Sequence, residues 1–287
     1  MDLSIDVRDR LLVANSRFES SLQSEAGAVF AWHLITNLWY FVRRVQDTVS
    51  HSSLQFGEGL AVAPGGLMFA GSGQANATAT AIDSGAAFVF DGSRSSIQLN
   101  DPSPLDQLLR NSFYPTQGQF LGSSMVFISS QLVAVGGSGA VYFFEQLMNG
   151  TWAEAGNTSI FTQGLPQFGY HVTFARTLNQ LFVGQVMSRN TSVGGAVFVY
   201  RYNPSLSPSS QPWPLVQEFF ASPTIPKDSF GNLIEVNGNF ALVSSYGFTN
   251  SSLRYVSLFI WNTTTSQWAL LAKIRPVTAL SLSLIHI

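Results

Sequence analysis

Short apolar runs separated by Gly, Asn and Ser punctuate the chain, the rhythm of β-strands joined by tight turns. The runs recur in a fixed order. A Phe-Gly pair opens the copy at Phe56-Gly57, Phe168-Gly169 and Phe230-Gly231, with Leu121-Gly122 as a variant. A first strand and a tight turn follow, then a second strand that ends in small residues: Leu11-Leu12-Val13-Ala14, Leu67-Met68-Phe69-Ala70-Gly71, Leu132-Val133-Ala134-Val135-Gly136, Leu181-Phe182-Val183-Gly184 and Phe240-Ala241-Leu242-Val243. Beyond a loop of variable length lies a third strand, as in Gly85-Ala86-Ala87-Phe88-Val89-Phe90 or Gly195-Ala196-Val197-Phe198-Val199-Tyr200. In four of the five copies a tryptophan, Trp39, Trp152, Trp213 or Trp268, heads a fourth apolar run. The glycines Gly27, Gly85, Gly139 and Gly195 stand 58, 54 and 56 residues apart, so the strands are constant and the loops absorb the variation.

Each copy therefore reads as a four-stranded antiparallel meander, and Asn237-Gly238 suits a type I′ hairpin turn. One such sheet cannot bury both of its faces. Copies arranged radially cover one another, which is the β-propeller solution. Continuously apolar strands such as Ala196 to Tyr200 fit sheets covered on both sides. The expectation is an all-β chain with one propeller domain over residues 1–275 and about five blades, near 1–50, 51–115, 116–163, 164–225 and 226–275.

Phe-Gly, a small-residue segment some fifteen residues on, and then Gly-Ala-Val-aromatic together resemble the FG-GAP repeat. That repeat builds the seven-bladed propeller of integrin α subunits and occurs in many microbial surface proteins. The resemblance spans roughly residues 4 to 275, and the small segment here is Val135-Gly136-Gly137 or Val183-Gly184-Gln185, never Gly-Ala-Pro. It implies part of a seven-bladed ring. Aligning Ser4-Ile5-Asp6-Val7 with Leu233-Ile234-Glu235-Val236 starts the chain inside a blade, and residues 1–20 lack the features of a secretory leader. Residues 276–287 break the repeat and are expected to be non-native or disordered.

Two segments invite other readings. Gly27 to Val42 is apolar and precedes Arg43-Arg44, but its 16 residues fall short of the roughly 20 of a spanning helix, and the stretch aligns with third and fourth strands. No membrane span is expected. Ser103-Pro104-Leu105-Asp106 carries a capping signature ahead of Leu108-Leu109 and predicts a short helix in the longest connection.

Composition narrows the chemistry. The 287 residues are 46% hydrophobic and only 10% charged, with a net charge of -2. Lys227 and Lys273 are the only lysines, so a sequence-independent grip on nucleic acid is not expected. Zero cysteines exclude a disulfide, a thiolate metal site and a cysteine nucleophile. Glycosylation sequons at Asn76, Asn149, Asn157, Asn190, Asn250 and Asn262 lean toward an extracellular or cell-surface location.

Some FG-GAP copies hold calcium on a D-x-D-x-D-G-type loop between their first two strands. Here those connections are Arg8-Asp9-Arg10, Pro64-Gly65-Gly66, Ser129-Ser130-Gln131, Thr177-Leu178-Asn179-Gln180 and Asn237-Gly238-Asn239, without clustered carboxylates, so no metal is expected. His33, His51, His171 and His286 are scattered and read mainly as surface or satisfied structural residues. No catalytic residue or cofactor is expected. Phe30, Phe88, Phe143, Phe198 and Phe259, taken as one recurring repeat position, read as packing between blades.

Loops between second and third strands emerge at one end of a meander, and they are long and unlike one another. In integrins the corresponding face meets the ligand. By that resemblance Asp83, Arg189, Tyr246 and Phe248 are the candidate contacts for a protein or glycan, although Asn76, Asn190 and Asn250 would place glycans on the same face. The expected function is a non-enzymatic adhesion or ligand-binding module. The alternatives are a propeller enzyme or lectin acting on carbohydrate, marked by carboxylates or histidines converging on the axis, and a purely structural scaffold.

Overall fold

The computed structural model describes residues 5–8, 11–16, 27–45, 56–63, 67–72, 84–91, 107–109, 120–155, 159–161, 167–186, 194–203, 205, 212–221, 229–245 and 255–275. The chain divides into two compact units: Met1–Ser138 with Tyr142–Ala155, and Gly139–Val141 with Gly156–Ile287.

Among the described residues, the first unit contains three antiparallel meanders. The first sheet runs β1 (Ile5–Arg8), β2 (Leu11–Ser16), β3 (Ala28–Ile35) and β4 (Leu38–Val45). The second runs β5 (Leu60–Val62), β6 (Leu67–Ser72), β7 (Ala86–Asp91) and β8 (Gln107–Leu109). The third runs β9 (Ser124–Ser129), β10 (Leu132–Gly137), β11 (Ala140–Gln146) and β12 (Trp152–Glu154). Strand β13 (Ile160–Phe161) pairs with Ala140 and Val141, the start of β11 that belongs to the second unit.

The second unit has two complete meanders, β14 (Phe168–Ala175), β15 (Gln180–Gln185), β16 (Ala196–Arg201) and β17 (Leu215–Phe220), then β18 (Ile234–Asn237), β19 (Phe240–Ser245), β20 (Tyr255–Asn262) and β21 (Gln267–Ile274). The repeat read from the sequence is thus a repeat of sheets. No helix among the described residues is long and apolar enough to cross a membrane, and the apolar stretch from Gly27 lies in β3 and β4.

Apolar side chains fill the space between neighbouring sheets. In the first unit Leu11, Val13 and Val29 of the first sheet join Phe56, Leu60 and Val62 of the second in one buried cluster. In the second unit Phe182, Val197 and Phe219 do the same with Ile234, Val243 and Trp268.

Three expectations need correction. Leu108 and Leu109 are in strand β8, paired with Phe88 and Ala87, and are not helical. The pairing along the open side of β7 outweighs the local capping signal of Ser103 to Asp106, itself outside the described residues. The turn after β18 joins Asn237 to Phe240, and positive φ falls on Gly238 alone, the type II′ pattern; type I′ geometry occurs instead at Thr36 and Asn37, both with positive φ. Finally, the five phenylalanines do not share one position. Phe30, Phe88 and Phe198 are equivalent, opposite Ala14, Ala70 and Val183. In the fifth sheet Ser257 has that place, opposite Val243, with Phe259 two residues further along. Counted from the preceding glycine, Phe143 is one residue beyond and faces the other side of its sheet.

Candidate functional site

Three pieces of the repeat meet where one sheet adjoins the next within a unit. The phenylalanine of the Phe-Gly pair enters the core: Phe56, Phe168 and Phe230 are buried against third-strand aromatics of their own sheets. Phe56 lies 5.2 and 5.9 Å from Phe88 and Phe90, and Phe168 lies 5.4 and 6.3 Å from Phe198 and Tyr200 between ring centres. The glycine that follows turns the chain at φ near 90°, and its N–H returns to the second strand, as Gly57 to the Gly71 carbonyl at 2.7 Å and Gly231 to Ser244 at 3.0 Å.

The glycine before each third strand sits on the backbone of the next Phe-Gly pair. A Cβ on Gly27 would run into Phe56, one on Gly85 into Leu121 and one on Gly195 into Phe230. At Gly139 the N–H donates to the Phe168 carbonyl at 2.8 Å. The small end of the second strand meets the same seam: a Cβ on Gly71 or Gly184 would strike the carbonyl of Gly122 or Gly231. In the first sheet Asn15 has this place, and its side-chain amide donates to the Gly57 carbonyl.

The consequence concerns the loops. Each long connection from a second to a third strand begins beside the seam and returns to it, at Asn15 and Gly27, Gly71 and Gly85, or Gly184 and Gly195. Asp83, Arg189, Tyr246 and Phe248 all lie in these connections and outside the described residues, as do the sequons at Asn76, Asn190 and Asn250; Asn157, between β12 and β13, is outside the described residues too. Their anchors are described. Ser84, next to Asp83, is buried and accepts the Leu121 N–H at 3.1 Å, and Ser245, next to Tyr246, is buried as well. Asn149 and Asn262 are exposed on turns between third and fourth strands; the Asn149 Oδ1 accepts the Thr151 hydroxyl at 2.7 Å.

First strands carry the residues that an axial site would use. Register places Asp6, Ala61, Val126, Thr173 and Glu235 at one equivalent position, opposite Val13, Phe69, Ala134, Phe182 and Leu242. Two of the five are carboxylates, which the chain order does not reveal. Among the described residues no group of three or more His, Asp or Glu is placed to hold a metal ion.

His171, half-buried on β14, stands apart from the surface or satisfied role expected of most of the histidines. Its Nδ1 is enclosed and has no hydrogen-bond partner, and burial lowers its pKa from 6.5 to about 4, so the ring is neutral near pH 7. Burial and then the charge of Glu218 push the Tyr200 hydroxyl above its usual range, so it stays protonated.

Sheets of this form, stacked through these seams, have the β-propeller fold. Comparison with solved structures agrees. A Lactobacillus plantarum protein superposes at a TM-score of 0.62 and 13% identity, over 94% of this chain and 70% of its own. Two proteins provisionally assigned as 6-phosphogluconolactonases are similar in the same way: one from Bacteroides fragilis at 0.61 and 12%, over 96% and 70% of the two chains, and one from Bacteroides uniformis at 0.58 and 10%, over 93% and 69%. At such identities the likeness defines the fold. No family model and no curated protein matches the chain.

Proposed function

We propose that this chain is a non-enzymatic recognition module of the FG-GAP kind, acting at a cell surface or outside the cell and taking a protein or glycan on the loops between second and third strands. The observation that supports this reading is the rooting of those loops. In the second and fourth sheets both feet of the loop are seam glycines, Gly71 and Gly85 or Gly184 and Gly195, tied by backbone contacts that admit no side chain, and the loop sequences between the feet differ from sheet to sheet. Variable loops on a fixed frame are the usual arrangement for recognition. Exposed sequons at Asn149 and Asn262, at the 3–4 turns, agree with a secreted surface.

The test is binding of the purified chain, made in a secretory host, to panels of purified matrix proteins and printed glycans. A hit should weaken by about tenfold or more, ~1.4 kcal/mol, when Asp83, Arg189, Tyr246 and Phe248 are all changed to alanine. An unchanged affinity would reject the loop face.

The second reading is a propeller enzyme or lectin acting on carbohydrate. The fold shared with the two Bacteroides proteins favours it, as does the half-buried, neutral His171 on a first strand, with its enclosed Nδ1. Hydrolysis of 6-phosphogluconolactone above the spontaneous rate, lost in His171→Ala, would replace the binding reading with this one.

A further inference from the structure

Asn-Gly occurs twice in the chain, at Asn149-Gly150 and Asn237-Gly238, and each pair stands where one strand turns back into the next. Glycine has no side chain to shield its backbone nitrogen. That nitrogen can therefore close a five-membered ring on the carboxamide carbon of the asparagine before it, provided that both groups are able to turn toward each other. The two turns differ in this respect.

At Asn149 both groups are held. The connection from β11 to β12 is long enough to fold back on itself: the Gly150 N–H donates to the Leu147 carbonyl at 2.9 Å, and the Leu147 N–H donates to the Thr151 carbonyl at 2.7 Å. The Asn149 Oδ1 accepts the Thr151 N–H at 3.0 Å and the Thr151 hydroxyl at 2.7 Å. Gln146 Nε2 fixes the same peptide from its other side, donating to the Gly150 carbonyl at 3.2 Å. Ring closure here has to break the bond of the attacking nitrogen and both bonds of the carboxamide.

At Asn237 neither group is held. Only Gly238 and Asn239 separate the paired residues Asn237 and Phe240. In a two-residue hairpin the first N–H of the tip points away from the ladder and reaches no carbonyl. Among the described residues neither the Gly238 N–H nor the Asn237 carboxamide makes a hydrogen bond, and a Cβ on Gly238 would meet nothing within 4 Å. A tip of this kind is open to water even beside another sheet: Arg176 and Thr177, between β14 and β15, are exposed although β18 packs along β14.

We propose that Asn237 is a site of spontaneous deamidation, and that the fold protects Asn149 from the same reaction. The Gly238 nitrogen gives its proton to solvent base and bonds to Cγ of Asn237, while Nδ2 takes up a proton and leaves as ammonia. Water then adds to one of the two carbonyls of the succinimide and opens it to aspartate or isoaspartate; no oxidant or cofactor takes part. Either product adds a negative charge at the end of β18, two residues from Glu235 and on the same side of the strand. Isoaspartate also lengthens the backbone at the tip.

The test uses the chain made in a host without N-glycosylation, so that Asn149 keeps its amide. The folded chain is held in mildly alkaline buffer and sampled over time by peptide mapping, with isoaspartate read by enzymatic methyl transfer and the fold followed by circular dichroism. Asn237 should convert about tenfold or more faster than Asn149, the difference set by hydrogen bonds that must break before attack. In concentrated urea the two rates should draw together, because both sites are Asn-Gly and only folding separates them. Comparable rates in the folded chain, or a gap that persists undiminished in urea, would each overturn the proposal.

Discussion

Gly231 and Gly150 have nearly the same backbone, with φ of 86° and 83°, and opposite surroundings. A Cβ on Gly150 meets nothing within 4 Å, whereas one on Gly231 comes within 2.7 Å of the Ala196 carbonyl oxygen across the seam. Gly150→Ala should cost about 1 kcal/mol from the left-handed backbone alone. Gly231→Ala adds the forced separation of two sheets and should cost about 3 kcal/mol, read as the shift in urea midpoint. Equal losses would mean that the seam yields easily. His171 supplies a second residue-scale prediction. The unfolded chain binds a proton here below pH 6.5 and the folded one only near 4, so the contribution of the neutral ring is full above pH 6.5 and is lost as pH falls toward 4. His171→Gln should flatten the fall in stability between those values, as seen in urea midpoints at about pH 7 and about pH 4.5. The histidine was visible in the sequence, but the enclosure of its Nδ1 was not, because a first-strand side chain is covered only once its own sheet is packed.

At the scale of elements, the aromatic repeat is a set of lateral locks. Phe168 fills the space beneath its own third strand, and Phe168→Ala should cost about 3 to 5 kcal/mol on thermal unfolding. Gln217 does in the second unit what another strand would do. It lends an amide to both backbone groups of Trp268, and Gln217→Ala should lower stability by about 1 to 2 kcal/mol, while Gln217→Glu should fall in the same direction because its acid cannot donate to the carbonyl near pH 7. Strand type, order and tryptophan spacing were legible because a half-exposed period and a turn residue are local facts. The identity of β8 was not, since Leu108 and Leu109 carry a helix-start signal and become a strand only when β7 offers its open side.

At the scale of the whole molecule, the surface chemistry can be tested through processing. Asn149 and Asn262 are exposed in turns that leave the side chain accessible. Expression through a secretory pathway should add a glycan at each, and Asn149→Gln and Asn262→Gln should each remove one mass increment. A chain secreted without modification at either site would weaken the extracellular assignment.

The amino-acid order alone determined the tandem of four-stranded meanders, five of them among the described residues, because strands, turns and their period are encoded within a few residues of one another. It also marked which glycines, phenylalanines and tryptophans recur. Only the tertiary structure decided why they recur: Gly195 must be bare because the Phe230 backbone lies against it, and Trp268 is buried because Phe182 and Gln180 of another sheet receive it. Those contacts join residues 35 to 88 positions apart, and their geometry arises from how sheets stack, which no local pattern specifies.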